Sequence, residues 1–499
     1  MTTLELITSI NTQINTFIWD KLGLVLLILT GIIFTVTTQF FQLRHLFLWL
    51  YQPLKNITKR KNNNPRSGIT QMQALCTSLA STIGVGSVVG VSAAIKSGGS
   101  GAVFWMWLAA FFSMMTAYAE NVLSIYFREK NNEGKWQGGT MYVLKNAAAT
   151  KKHFRILFEV LGIFFCIFCI LASFGIGNLG QINKITENLI YSFPVPYFSE
   201  KYIFNIPLYN ILIAISLTLL CGFIITGGLK RIAYFAEKTV PVMVLFFVSG
   251  SLIVILYHRE NIFYAINSIF ANAFSAKAAF GAANGITLKH IITTGCKRGL
   301  FSTEAGMGST TLINSASDTK EPAVQGMWGI FQVFIDTFVI CTMTALVILT
   351  SKVSFNLSDS VMVADAFSTV FGNWGNKFVA ISILMFALTS TIGWSQYASV
   401  AVSYLKIPFL DKIYKFLFIA TIPLGCIITS ELTWNICDTF NGLMMIPNLI
   451  ALLFLFPTVL KIHNNYCDRI FKHKNVTPIL SYDRHLQIKH QMALKREKE

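Results

Sequence analysis

Eleven stretches of about 18 or more mostly apolar residues occupy the greater part of this 499-residue sequence. They lie at residues 22–43, 69–95, 101–126, 156–179, 207–227, 239–257, 281–300, 323–350, 377–404, 415–431 and 441–460. A stretch of this length crosses a bilayer as a helix, so the pattern predicts an all-α polytopic membrane protein. Only 13% of the residues are charged, too few to cover a soluble globule, and we expect the lipid bilayer to cover much of the surface.

The net charge of +17 is distributed unevenly between the two sides of the predicted membrane. Of the 40 Lys and Arg residues, 31 fall in alternate segments, namely 44–66, 128–155, 229–238, 297–320, 406–415 and 461–499. Positive residues concentrate on the cytoplasmic side of membrane proteins. The basic balance therefore predicts a multi-pass protein with its N-terminus outside and its C-terminus in the cytoplasm, and we expect its location to be the bacterial inner membrane. It does not indicate a nucleic-acid partner.

The spacing of the spans predicts four segments. Residues 1–66 form a peripheral transmembrane helix with a basic loop, residues 67–257 and 258–462 each hold five spans, and residues 463–499 form a basic cytoplasmic tail. Because five is odd, a second half joined directly to the first enters the membrane from the opposite side. This is the inverted repeat of many secondary transporters, whose ligands bind where the first helix of each half is broken.

Two segments contain small residues where such breaks are expected. Residues 80–90 hold three Gly and three hydroxyl side chains at bilayer depth. A second small-residue segment opens the second half at Gly281 and Gly285 and continues at residues 299–309. Unwound backbone there could offer carbonyl groups to a cation and amide groups to a carboxylate. Small-residue helix packing remains an alternative for the first segment. In the ninth span, Thr389 and Ser390 could supply hydroxyl oxygens, or they could bond to their own helix backbone.

Two carboxylates are expected deep inside the membrane. Glu120 lies within the third span and Asp336 in the middle of the eighth. Charged groups at this depth are costly and suggest a function, so either could bind a cation, carry a proton or pair with a neighbouring helix. Glu304 and Asp438 lie nearer span ends, which favours structural pairing.

Several longer runs resemble one transporter family, the sodium:alanine (alanine or glycine:cation) symporters. They are residues 98–107, Ala119–Glu120, 138–142, 298–309, 393–395 and 440–448. The resemblance covers about residues 20 to 462. The sequence departs from the usual Gly-Thr-Gly-Asn at the first break, where it has Gly84-Val85-Gly86-Ser87.

The resemblance implies a leucine-transporter-type fold with inverted five-helix repeats and symport of Na⁺ with a small neutral amino acid such as alanine or glycine. The implied sodium ligands are main-chain oxygens of Ala80 and Ile83 and the hydroxyls of Thr389 and Ser390. The implied substrate site comprises Thr82, Gly84, Gly86 and Ser87, facing Gly281 and Gly285. We expect a monomer that needs no cofactor and no metal beyond the co-transported Na⁺.

Other functions stay open at this point. The same fold could couple transport to protons, or serve as a channel or sensor. An enzyme would need a nucleophile–base pair or a metal cluster, and the eight His residues form no His-x-x-x-His pair. We therefore predict that the protein is not an enzyme.

Overall fold

The computed structural model describes residues 3–58, 68–150, 152–274, 288–428 and 431–496. Most of these residues are helical, and the strands form two short antiparallel hairpins. In the first, β1 (Glu129–Lys130) pairs with β2 (Trp136–Gln137), and in the second, β3 (Tyr202–Ile203) pairs with β4 (Ile206–Pro207). The predicted all-α class is confirmed.

The chain begins with a long helix that precedes the two halves. It consists of α1 (Thr3–Thr16), a π-helical segment (Phe17–Leu22) and α2 (Gly23–Thr37). Its apolar part, Thr8–Thr37, is long enough to cross a bilayer, so the predicted bounds of 22–43 were wrong at both ends. The helix stops there because Gln39 and Phe40 have positive φ angles of 56° and 57°. Two short helices follow, α3 (Phe41–Arg44) and α4 (Leu46–Thr58).

The first half starts with an interrupted helix. Its helices are α5 (Gln71–Thr82), α6 (Val89–Gly98), α7 (Gly101–Tyr126), α8 (Thr140–Thr150), α9 (Arg155–Phe174), α10 (Gly180–Ser192), α11 (Pro196–Ser199), α12 (Leu208–Ile225) and α13 (Gly228–Tyr257). A 3₁₀ turn (Val85–Ser87) lies between α5 and α6, and a π-helical segment (Gly175–Leu179) joins α9 to α10.

The second half also consists of helices joined by short π-helical and 3₁₀ segments. Its helices are α14 (Ile262–Ala273), α15 (Leu288–Thr303), α16 (Thr311–Asn314), α17 (Pro322–Val333), α18 (Thr342–Ser351), α19 (Asp359–Phe371), α20 (Asn373–Tyr404), α21 (Leu410–Ala420), α22 (Ile422–Ile427), α23 (Glu431–Phe454), α24 (Phe456–Ile470) and α25 (Arg484–Arg496). A π-helical segment (Phe334–Cys341) joins α17 to α18. Further 3₁₀ turns lie at Lys152–Phe154 and Arg259–Asn261.

Seven helical stretches of the described chain are long and apolar enough to cross a membrane unaided. They are Thr8–Thr37, Gly101–Tyr126, Arg155–Ser192, Leu208–Ile225, Gly228–Tyr257, Pro322–Ser351 and Asn373–Tyr404. A pair bent by 61°, Asp438–Phe454 with Phe456–Ile470, makes an eighth. The other three predicted spans, 69–95, 281–300 and 415–431, coincide with shorter helices: α5 with α6, α15, and α21 with α22.

Helix α7 lies between α15 and α17 of the second half, and glycines allow the close approach. A Cβ atom at Gly295 of α15 would lie 2.3 Å from the Ala102 carbonyl oxygen. One at Gly326 of α17 would lie 2.6 Å from the Tyr118 ring. Small residues at such interfaces let helix backbones approach closely where lipid leaves little hydrophobic driving force. The two halves are therefore packed through α7.

The N-terminal helix also packs against the second half, through Trp19. This indole is fully buried, its Nε1 donates to the Asp438 carbonyl oxygen at 3.0 Å, and its ring centroid is 6.0 Å from that of Phe301. Gly442 of α23 allows the contact, because a Cβ atom there would lie 2.9 Å from Trp19 Nε1. The helix outside the repeats thus supports α15 and α23.

Candidate functional site

A cavity of about 900 Å³ runs from one end of the bundle to the gap between α5 and α6. The lining next to the break includes Val85, Gly86, Ile176, Gln181 and Phe301. Charged residues line the cavity as well, namely Lys184, Glu187, Arg298, Asp359 and Asp438. On α10, Glu187 lies six residues beyond Gln181, about 9 Å farther along the helix axis, whereas Arg298 lies one helical turn before Phe301 on α15. A ligand would therefore meet charged groups both at the mouth and close to the break.

The gap between α5 and α6 releases two carbonyl groups from the helix hydrogen-bond pattern. In a continuous helix the Gly84 and Val85 amides would donate to the carbonyls four residues earlier, those of Ala80 and Ser81. Instead, Gly84 N donates to Thr82 O at 2.9 Å. Helix α5 therefore ends on carbonyl groups that can accept other donors or a cation.

Two side chains from other helices complete this break. Gln181 Oε1 accepts a hydrogen bond from Val85 N at 3.1 Å, and its Nε2 donates to the Ile176 carbonyl at 3.2 Å. Ser390 Oγ of α20 donates to the Ser81 carbonyl at 2.8 Å. The Val85 amide and the Ser81 carbonyl of the break are thus bonded to side chains, which a ligand or ion could replace.

The residues predicted to bind sodium lie near one another. Their two hydroxyl groups, those of Ser390 and Thr389, form different hydrogen bonds. Ala80 and Ile83 are buried at the end of α5. Ser390 reaches the break, whereas the Thr389 hydroxyl donates to the carbonyls of Met385 and Phe386 on its own helix, both at 2.9 Å. A hydroxyl that donates its proton keeps oxygen lone pairs, so both side chains retain the capacity to bind a cation.

The residues predicted to bind the substrate differ in their surroundings. Gly86 lines the cavity. Thr82 donates to its own helix at Ser78 O, at 3.2 Å, and a Cβ atom at Gly84 would lie 3.0 Å from Gln181 Oε1. Ser87 Oγ donates to Asp336 Oδ1 at 2.6 Å and lies 3.1 Å from Ser302 Oγ. Gly281 and Gly285 lie outside the described residues.

A second break follows α15, within the small-residue run 299–309 that the sequence analysis marked but did not assign to the binding site. Glu304, Gly306 and Gly308 have φ angles of 53°, 90° and 78°, which end the helix and form a tight loop before α16. The two glycines are a sequence signal for a break in the helix. Because they lie at the end of an apolar stretch, however, they are equally expected in an ordinary loop.

Glu120 closes this second break. Its Oε1 accepts hydrogen bonds from Gly306 N at 3.0 Å, Gly308 N at 2.9 Å and Asn448 Nδ2 at 2.6 Å. Asn448 also donates to Gly306 O at 2.9 Å. The carboxylate of α7 thus takes the place of backbone acceptors for the unwound segment, and it links that segment to α23.

The other two buried carboxylates have different partners. Glu304 accepts hydrogen bonds from Trp394 Nε1 at 3.0 Å and Ser309 Oγ at 2.6 Å. Asp336 accepts hydrogen bonds from Ser87 Oγ at 2.6 Å and Ser302 Oγ at 2.7 Å. Glu304 therefore connects the second break to α20, and Asp336 lies between the first break and the end of α15.

Two basic residues do not lie where the sequence analysis placed them. Lys297 and Arg298 were counted in a cytoplasmic segment starting at residue 297, but α15 continues to Thr303, and Arg298 lines the cavity. The helix extends farther because Gly295 and Gly299 let it pack closely on α7. Without these two residues, 29 of the 40 Lys and Arg remain in the segments predicted to be cytoplasmic.

The profile of the sodium:alanine symporter family matches residues 4–479. The chain belongs to this family. It is a family of transporters, so the protein is a multi-pass membrane transporter, and the family resemblance seen in the sequence motifs is confirmed.

Two transporters are similar to this chain in sequence, and one solved structure is similar to it in fold. An uncharacterized transporter of Haemophilus influenzae is 36% identical over 93% of this chain and 97% of its own. The sodium/alanine symporter AgcS of Methanococcus maripaludis is 34% identical over 91% of this chain and 95% of its own. The crystal structure of MhsT in complex with L-phenylalanine matches with a TM-score of 0.50 and 14% identity, over 80% of this chain and 99% of that one. The leucine-transporter-type fold is therefore confirmed.

The three bonds to Glu120 Oε1 predict how this family member responds to substitution there. Glu120→Ala leaves three donors unpaired in the dry interior, each costing about 1–3 kcal/mol, and we expect poor folding. Glu120→Gln keeps an acceptor oxygen, and we expect it to fold with a lower melting temperature. Thermal unfolding of the detergent-purified proteins measures both, with Glu133→Gln on the exposed β1–β2 turn as control. Wild-type stability of Glu120→Ala would show that the second break does not depend on this carboxylate.

Proposed function

We propose that the protein imports a small neutral amino acid together with Na⁺ by alternating access. The observation that carries the proposal is the α5–α6 break, whose residues Val85 and Gly86 line the cavity and whose Ser81 carbonyl accepts a hydrogen bond from Ser390 Oγ. Na⁺ is the co-transported ion, and no cofactor is needed. In this mechanism, ligand binding at the break stabilises one arrangement of the two halves over the other.

The sodium site would combine backbone and hydroxyl oxygens. A small hard cation takes about six oxygen ligands. The carbonyls of Ala80 and Ile83 lie at the unwound end of α5, and Thr389 and Ser390 lie on the facing helix α20. Sodium would replace the hydrogen bond between Ser390 Oγ and Ser81 O, and so would join α5 to α20.

The amino acid would bind at the end of the cavity next to the break. A zwitterion carries one positive and one negative group, which the polar backbone of the break and the acidic and basic side chains of the lining can match. Gly86 presents backbone to this space, and Gln181 is the polar side chain next to it. Thr82, Gly84, Ser87, Gly281 and Gly285 stay predictions for the same site.

The orientation in the membrane follows from charge. With 29 of 40 Lys and Arg on one side, we place the loop 128–155 and the C-terminal segment in the cytoplasm of a bacterial cell, beneath the inner membrane. The cavity mouth at Lys184 and Glu187 would then face outward, in the direction from which substrate arrives.

Proton coupling is a second candidate, because Asp336 and Glu120 are buried carboxylates. Uptake into proteoliposomes separates the two. With an inward Na⁺ gradient we expect concentrative uptake of alanine or glycine, little uptake of lysine or glutamate, and none when the gradient is collapsed. Concentrative uptake that needs only a proton gradient would favour the second candidate, and flux that never exceeds equilibrium would indicate a channel.

The sodium ligands predict a specific change in the Na⁺ dependence of uptake. Ser390→Ala and Thr389→Val each remove one oxygen, worth about 1.5–3 kcal/mol for a bond to a charged group, and so raise the half-saturating Na⁺ concentration roughly ten- to a hundredfold. Thr391→Val is the matched control, because its hydroxyl bonds only to Ala387 O on its own helix. If the curves of all three variants coincide with that of wild type, sodium does not bind between α5 and α20.

The orientation predicts which positions an impermeant maleimide can label on intact cells. In a Cys467→Ala background, Phe204→Cys on the exposed β3–β4 turn should label from outside. Lys472→Cys, whose side chain is 63% exposed, should label only after permeabilisation. The reverse pattern would invert the proposed topology.

A further inference from the structure

The Trp136 ring lies at the centre of a group of basic side chains, on the face that we place in the cytoplasm. Trp136 belongs to β2 of the first hairpin. The guanidinium carbon of Arg128 lies 3.9 Å from the centroid of this ring, and Lys130 Nζ lies 4.7 Å from it. The His490 ring of α25 meets the same indole edge-on, with 5.9 Å between the ring centroids. Basic groups of the hairpin region and of the C-terminal helix thus meet around one indole.

Two nitrogen atoms of this group are buried and have no hydrogen-bond partner among the described residues. Arg128 is 2% exposed, and its Nη atoms donate to three carbonyl oxygens, but its Nε has no partner. The three carbonyls are those of Ser315, Ser317 and Thr319. His490 is 8% exposed, and its Nδ1 has no partner. Because buried polar atoms are normally paired, both nitrogens indicate a site for a hydrogen-bond acceptor.

Two further lysines add positive charge near His490. Its pKa is lowered to about 4, first by burial and then by four cationic side chains, those of Arg128, Lys320, Lys130 and Lys489. The imidazole is therefore neutral at the pH of the cytoplasm, because its protonation would add a further positive charge to the group. An anion bound there would compensate these charges and favour the protonated imidazole, in which both ring nitrogens donate.

The nearby acidic residues do not balance this charge. Glu129 of β1 is paired with Lys145, with 2.7 Å between the oxygen and nitrogen atoms. Glu321 is paired in the same way with Arg469, at 2.5 Å. Asp318 is the acid that interacts electrostatically with the group. Positive charge thus exceeds negative charge here in the part of the chain that the structure describes. The general excess of Lys and Arg on the cytoplasmic side does not require such convergence on one ring.

We infer that the hairpin and α25 form a binding site for a phosphate group, which Arg128 Nε and His490 Nδ1 would bind. The lysines of the group, Lys130, Lys320 and Lys489, would compensate its charge. A phosphate monoester carries about 1.5 to 2 negative charges and three acceptor oxygens at neutral pH, so it can bind both nitrogens at once. A carboxylate carries a single charge and suits the group less well. Soluble phosphates and the headgroups of phosphate-monoester lipids share this chemistry.

A phosphate in this position would hold the C-terminal helix against the cytoplasmic end of the bundle. The segment before α25 already contacts α7, since Tyr482 N donates to Tyr126 O at 3.2 Å. Arg128, in turn, binds carbonyls of the segment that pairs with the residues before α5, where Asp318 N donates to Ile69 O at 2.9 Å. The phosphate would therefore link α25, through Arg128, to this contact between the two halves.

Phosphate binding to the purified full-length protein in detergent tests the site. Equilibrium dialysis with ³²P-labelled orthophosphate should give one saturable site per wild-type chain. His490→Phe keeps the ring contact with Trp136 and removes the nitrogen donor, so we expect roughly ten- to a hundredfold weaker binding. Lys489→Gln removes one exposed charge, and we expect about a two- to fivefold loss of affinity. Lys495→Gln is the matched control, because Lys495 is exposed on the same helix but is not among the charges that act on His490.

Nanodiscs of two lipid compositions distinguish the two sources of phosphate. If the site binds a lipid headgroup, phosphatidic acid should compete with orthophosphate, whereas phosphatidylcholine alone should not. Equal affinity for orthophosphate in both nanodiscs would assign the site to soluble phosphates.

Hydrogen exchange of residues 480–496 tests the link to α25. Saturating orthophosphate should slow this exchange in wild type and leave it unchanged in His490→Phe. Binding that never saturates, or that is equal in wild type, His490→Phe and Lys489→Gln, would overturn the site. Exchange that phosphate does not slow in wild type would overturn the role of the anion in holding α25. None of these measurements requires transport, so their failure would leave the proposed amino-acid import to be decided by the uptake assays.

Discussion

Backbone hydrogen bonding inside a bilayer is the constraint on which this structure depends. No water is available there to satisfy an unpaired amide or carbonyl, so a helix can be interrupted only where other groups take over its hydrogen bonds. At the first break, these groups are Gln181 and Ser390. Both come from helices distant in sequence, and the break therefore exists only once the bundle has assembled around it.

The unpaired backbone groups of the two breaks form hydrogen bonds with different kinds of side chain. The second is closed by Glu120, a charged acceptor that holds two amides of the unwound loop and an amide of α23. Charge-assisted bonds of this kind are about twice as strong as neutral ones. The first is closed by a neutral amide and a hydroxyl, whose bonds an ion or an amino acid can exchange at lower cost. One break is suited to hold its shape and the other to respond to ligands.

The sequence predicted features that depend on local composition. The first break was visible because glycines and hydroxyl residues cluster at bilayer depth, and Asp336 because a carboxylate is rare there. Gln181 was missed because its role depends on a contact across 96 positions of sequence. The small-residue run of the second break was noted, but Gly306 and Gly308 were not assigned to the site because the helix before them was expected to end earlier. That same expectation put Arg298 in a loop, when it lines the cavity.

Gly90 has a consequence of its own. It lies on α6 at the cavity, and a Cβ atom there would meet nothing within 4 Å. Glycine inside a helix costs about 1 kcal/mol relative to alanine, and here neither backbone strain nor crowding requires it. The chain thus gives up stability for unfilled volume beside the cavity. At this position the cavity volume can therefore change without a loss of fold stability. Replacement of Gly90 by alanine would fill the volume of one methyl group, and so could narrow the range of solutes that fit without any rearrangement of the helices.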